Sequence, residues 1–151
     1  SLQSRGLGDV YKRQIYVIED RVTGICREDH DIRLYYNFAF GHLDGENGKF
    51  DYTSQKGRGY TMTVQADKKL DFEILEGSEN PIGGWISYGY AWRKPIPQLI
   101  AKHSGKAPIH FITVLAPEGT KAETAINGDA AMVTLAGGKV LTLTENAVEL
   151  H

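Results

Sequence analysis

The sequence predicts an all-β protein, an antiparallel β-sandwich, on three observations. Short runs of alternating apolar and polar residues recur along the chain, separated by turn residues about every eight to twelve positions. One run, Pro108 to Ala116, is apolar on both faces, with Ile109, Phe111 and Leu115 on one and Ile112 and Val114 on the other. A strand of that kind is covered on both sides and belongs in mid-sheet. No segment combines a helical apolar period with caps at its ends.

The elements follow in order. Residues 1–14 (SLQSRGLGDVYKRQ) are set aside, because Asp9-Val10-Tyr11-Lys12-Arg13-Gln14 is what GAT GTG TAT AAG AGA CAG encodes. That string resembles the transposon end used to build shotgun sequencing libraries, so the segment is expected to be a translated adapter rather than native chain. The native part is then 15–151, a sandwich lacking its N-terminal strands. Ile15 to Glu19 is a strand closed by Asp20-Arg21, with a loop at Thr23-Gly24. Ile32 to Phe40 alternates: Ile32, Leu34, Tyr36, Phe38 and Phe40 face one way, and Arg33, Tyr35, Asn37 and Ala39 the other. Gly41 to Gly59 carries Asp44-Gly45, Asn47-Gly48 and Gly57-Arg58-Gly59, and is predicted as loop with a short extended piece near Phe50–Tyr52.

Tyr60–Gln65 and Leu70–Leu75 alternate again, joined at 66–69 as a hairpin. A polar turn run, 77–84, leads into the aromatic stretch from Trp85 to Trp92, which closes on Arg93, Lys94 and Pro95-Ile96-Pro97. Gln98–His103 is a strand, and Ser104-Gly105-Lys106 turns into the buried run. The tail gives three more strands, Lys121–Ile126, Ala130–Ala136 and Lys139–Thr144, around the hairpin turns Asn127-Gly128 and Gly137-Gly138.

Composition excludes several classes. The chain is 41% hydrophobic and 24% charged, with 17 Lys and Arg against 19 Asp and Glu. A net charge of −2 is no nucleic-acid footprint. Without residues 1–14 the balance is more acidic, since Arg5, Lys12 and Arg13 go with only Asp9. No apolar run approaches the ~18 residues of a membrane-spanning helix. The single cysteine, Cys26, makes no internal disulfide.

Catalytic patterns are sparse. His30, His42, His103, His110 and His151 show no metal-ligand spacing. His110 lies inside the most apolar strand, where a satisfied core or edge histidine is the expected account and a catalytic base the alternative. Gly57-Arg58-Gly59 lacks the rest of a dinucleotide fingerprint and reads as a turn.

Two stretches carry more. The first is IYVIEDRV (15–22), then His30 and LYYNFAF (34–40). The second has the order Gly84-Trp85-x-Ser87-x-x-Tyr90, Pro95-x-Pro97, a strand, then Pro108-Ile-x-Phe-x-Thr-Val-Leu-x-Pro117. Together they resemble the C-terminal β-sheet domain of the heparinase II/III-like polysaccharide lyases, which include heparin, heparan and oligoalginate lyases. The matching pieces are Tyr16–Val22, His30–Phe40, Gly84–Pro97 and Pro108–Pro117, and more weakly the tail.

The resemblance implies cleavage of uronic-acid-containing polysaccharides, alginate or glycosaminoglycan, by β-elimination. It also implies a partner domain, an N-terminal α/α toroid carrying most of the catalytic machinery, and a periplasmic or secreted location. A structural metal, zinc, held by His and Asp ligands would lie upstream of the strand matched by Ile15–Asp20. No catalytic role, metal ligand or cofactor is therefore transferred to any residue here. Trp85, Tyr88, Tyr90 and Trp92 are the candidates for stacking on pyranose faces, with Arg93 and Lys94 for pairing with carboxylates or sulfates of an anionic polysaccharide. The competing account packs them in the core or against the toroid. Two other readings stand beside the lyase fragment: a free-standing carbohydrate-binding module, and a structural sandwich bracing another domain.

Overall fold

A computed structural model describes residues 2–11, 15–23, 30–80, 82–89, 92–128, 130–135, 138–144 and 148–150. Gly24, Cys26, Tyr90, Gly137 and His151 lie outside these residues. The described elements are strands, and every ladder between them is antiparallel.

The organising strand is β13 (Ile109–Pro117), as its two-faced apolar pattern predicts. It lies inside a six-stranded sheet, between β2 (Ile15–Thr23) and β6 (Gly59–Ala66). Outside β6 come β5 (Lys49–Ser54) and β4 (Gly41–Glu46), and outside β2 comes β1 (Leu2–Tyr11). A second sheet of β3 (His30–Asn37), β12 (Pro97–Gly105) and β7 (Asp71–Glu76) covers one face. Between them pack Leu34, Tyr36, Leu99, Ala101, Ile109, Phe111, Met62 and Phe50. The other face of β2 and β13 presents Ile15, Val17, Ile112 and Val114 to a meander of β14 (Ala122–Asn127), β15 (Ala130–Leu135), β16 (Val140–Leu143) and β17 (Val148–Leu150). The sandwich thus carries a third layer. That is why β13 is apolar on both sides: fully burying an Ile or Phe is worth about 1.5–3 kcal/mol, and here both faces gain it.

Three expectations need correction. The first strand does not stop at Glu19. It runs through Asp20 and Arg21 to Thr23, because β13 pairs with it as far as Ile109↔Val22 and so satisfies its backbone. The predicted loop 41–59 is mostly the β4–β5 hairpin. Leu43, Phe50 and Tyr52 alternate into the core, and Asn47 (φ 54°) and Gly48 (φ 83°) make a two-residue turn with both φ positive.

Residues 66–69 join no hairpin. β6 and β7 belong to different sheets, and the Asp67 amide and carboxylate tie the crossover to the His110 backbone at 3.1 and 3.0 Å. Residues 2–11, set aside above, form the outer strand β1, in register with β2 from Leu2↔Thr23 to Tyr11↔Ile15. Without a clear alternating pattern, β1 is held through main-chain hydrogen bonding, which an open edge offers to any extended segment.

Candidate functional site

The aromatic stretch forms a two-stranded ribbon of β10 (Trp85–Gly89) and β11 (Trp92–Pro95), beside the short pair β8 (Ser78–Glu79) and β9 (Ile82–Gly83). Its register sets Trp85 opposite Pro95, Ile86 opposite Lys94 and Ser87 opposite Arg93. Gly84 anchors it: its carbonyl accepts hydrogen bonds from the Gly77 amide (2.9 Å) and the Ile96 amide (2.7 Å). Gly84 has φ +72°, and a Cβ there would meet the Leu75–Glu76 backbone at 2.7 Å, so only glycine fits.

Trp85 is half-buried and engaged on several sides. Its indole N–H donates to the Ser78 carbonyl at 2.9 Å. The Arg93 guanidinium carbon stands 4.0 Å from the ring centroid, a cation–π contact, and Arg93 Nη2 donates to Glu79 Oε1 at 2.9 Å. Two of the sequence-predicted residues, Trp85 and Arg93, are therefore brought together, each occupied by the other. Lys94 is exposed on the opposite face of the ribbon, because neighbouring residues of a strand point apart. Tyr88 and Trp92 occupy one strand each.

A second polar group, which the sequence reading did not assemble, lies on the face of the large sheet that also carries Ile15 and Val17. The β2–β13 register sets His110 opposite Arg21 and Ile112 opposite Glu19. Glu19 accepts from Arg21 Nε at 3.0 Å, and its other oxygen lies 3.1 Å from His110 Nε2. That second approach is within ion-pair distance but too bent for a hydrogen bond, and both His110 ring nitrogens are buried without one. The expected core histidine is thus buried, 4% exposed, but not satisfied. The signal that could have found the group is a Glu–x–Arg pair inside an apolar strand, which puts two charges on one covered face. Asp20, on the other face, is fully buried opposite Phe111 and is engaged there.

Among the described residues no group of three or more His, Cys, Asp or Glu side chains converges to hold a metal ion. No helix among them is long and apolar enough to cross a membrane.

No protein-family model matches the chain, and no curated protein matches it. Solved structures do match in fold. A heparinase III gene product with methylated lysines superposes at a TM-score of 0.70 with 16% identity, over 93% of this chain and 23% of that one. Heparan sulfate lyase HepC from Pedobacter heparinus gives a TM-score of 0.64 and 13% identity over 92% and 23%. A further heparinase III gives 0.60 and 12% over 92% and 21%. The chain therefore spans under a quarter of the length of these lyases and shares the fold of that part.

Proposed function

We propose that this chain is the C-terminal sandwich part of a polysaccharide lyase acting on a uronic-acid-containing anionic glycan. One observation carries the reading: the likeness to heparinase III and heparan sulfate lyase extends over 92–93% of the chain, at TM-scores of 0.64–0.70. The aromatic and sandwich motifs in the sequence point to the same group independently.

In the proposed reaction a base removes the proton at C5 of the uronate. The electron pair forms the C4–C5 double bond, and the glycosidic oxygen leaves C4 with a proton from an acid. An N-terminal toroid would supply base and acid, and the sandwich braces it from a periplasmic or secreted position. His110 supports the division of labour: it is the histidine set beside a carboxylate in the core, and at 4% exposure it meets no polysaccharide. The structural zinc implied by the resemblance would be held upstream of the strand matched by Ile15–Asp20, elsewhere in the parent.

The test is turnover. The uninterrupted parent protein is expected to generate unsaturated uronates from heparan sulfate or alginate, read by their ultraviolet absorbance, while this chain alone generates none. A parent with no such product on any uronan sinks the lyase reading, and product from this chain alone sinks its scaffold role.

A further inference from the structure

The outer face of the three-stranded sheet carries a trench of about 390 Å³, within the usual range for ligand sites. Arg33 and Tyr35 of β3, Ile100 and Lys102 of β12, and Asp71 and Glu73 of β7 line it. The register explains the grouping: Lys102 is opposite both Arg33 and Asp71, and Ile100 opposite both Tyr35 and Glu73. Leu75, which also lines the trench, is packed by Gly83, where a Cβ would sit 2.6 Å from Leu75 Cδ1 and 2.7 Å from Gln98 Oε1.

Tyr35 is 52% exposed, the most exposed of the large hydrophobic side chains on the described surface. Arg33 is paired with Asp31 at 3.3 Å. The side chains of Lys102, Asp71 and Glu73 have no hydrogen-bond or ion-pair partner among the described residues, although the register sets Lys102 and Asp71 side by side. Arg33 and Lys102 are neighbouring cations on one sheet face and repel each other, and Asp71, although level with Lys102, makes no ion pair with it.

We propose that this trench binds a uronic-acid-containing oligosaccharide, with one pyranose face on Tyr35, a carboxylate on Lys102 and Arg33, and hydroxyls on Asp71 and Glu73. The inference rests on the lyase reading for the glycan class, and places a glycan contact away from the Trp85–Trp92 ribbon. The chemistry favours sugar over a protein partner. An aromatic platform ringed by cationic donors and by unpaired carboxylate acceptors suits a ligand whose hydroxyls do both, whereas the core of a protein interface is depleted of charge. The Tyr35 hydroxyl, ahead of Asp31, raises the Arg33 pKa above its ordinary value, so the guanidinium stays cationic.

The experiment is calorimetric titration of this chain with alginate and unsulfated heparan oligosaccharides, with a cello-oligosaccharide of equal length as neutral control. Binding of at least one uronan, weakened about fivefold or more by Tyr35→Ala and by Lys102→Ala but not by Met132→Ala on the distant meander, supports the trench. No uronan binding, equal binding of the neutral glucan, or binding that survives both trench variants overturns it. Turnover separates the two ideas. A parent lyase that is active while the trench binds nothing leaves the family reading standing. Trench binding in an inactive parent does the reverse.

Discussion

Tyr36 and Thr113 join the two main sheets through the middle of the core: their hydroxyls lie 2.6 Å apart, from β3 to β13. Both side chains are buried, at 8% and 0% exposure. Apart from Tyr36, the Thr113 hydroxyl has no recorded partner in the described structure. Tyr36→Phe is therefore expected to cost about 1–3 kcal/mol, because it leaves a polar group stranded in an apolar layer. Adding Thr113→Val should recover part of that loss, since both polar ends are then gone. Urea unfolding of the two single variants and the double gives the coupling. Strict additivity would show that the contact contributes nothing.

The aromatic ribbon hangs on Gly84, whose positive φ and contact with the Leu75–Glu76 backbone leave no room for a side chain. Gly84→Ala is expected to cost about 1–3 kcal/mol locally and to release Trp85 from Arg93 and the Ser78 carbonyl. The checks are a red shift of tryptophan emission and easier quenching by acrylamide, with the global unfolding midpoint moving less than the spectrum. An unchanged spectrum would mean that the ribbon is held from elsewhere.

The parts of the fold that were legible in the sequence are those where one side chain in two is buried. The alternation of 32–38 reports β3 and its two faces, including the outward Arg33 and Tyr35 that line the trench. The double-sided run 109–116 reports a middle strand. What the sequence did not report is which sheet a strand joins. The 66–69 link looks like a hairpin because its length and polarity suit one. The crossover is decided by Asp67 gripping the His110 backbone, a contact between positions far apart in the chain. The hairpin 41–54 was hidden by its glycines, which read as loop although Leu43, Phe50 and Tyr52 supply a core face. In the candidate ribbon, Arg93 and Lys94 are adjacent in sequence, each a candidate for pairing with an anionic group. Strand alternation puts them on opposite faces, and Arg93 goes to Trp85 and Glu79.

Glu19 is the carboxylate that both Arg21 and His110 face on the covered side of the large sheet. At 12% exposure it is largely out of water. Glu19→Ala is expected to destabilise the chain by about 3 kcal/mol, because it takes the carboxylate out of a largely buried charged group. Glu19→Gln keeps the shape and an acceptor for Arg21, so it should cost clearly less. Equal midpoints for wild type and Glu19→Ala in urea would show that Arg21 is compensated without the carboxylate.

Tyr52 is a latch whose strength depends on pH. Its hydroxyl donates to the Ala39 carbonyl at 2.9 Å and lies 3.2 Å from that of Phe40, closing β5 onto the end of the β3–β4 link. Burial, and after it the neighbouring Tyr60, raises its pKa above the ordinary value of 10.0. The folded state then holds the phenolic proton more tightly than the unfolded chain does. Between the unfolded pKa and the raised folded one, the unfolded state binds fewer protons, so stability falls as pH rises. The contribution is complete below pH 10 and is lost as the pH climbs through the folded value. Tyr52→Phe should lose the latch, costing about 1 kcal/mol at neutral pH, and should flatten this alkaline decline. Thermal melts of both proteins from neutral pH upward, with tyrosinate absorbance as the titration readout, check the sign. A wild-type stability that rose above pH 10 relative to Tyr52→Phe would reverse the argument.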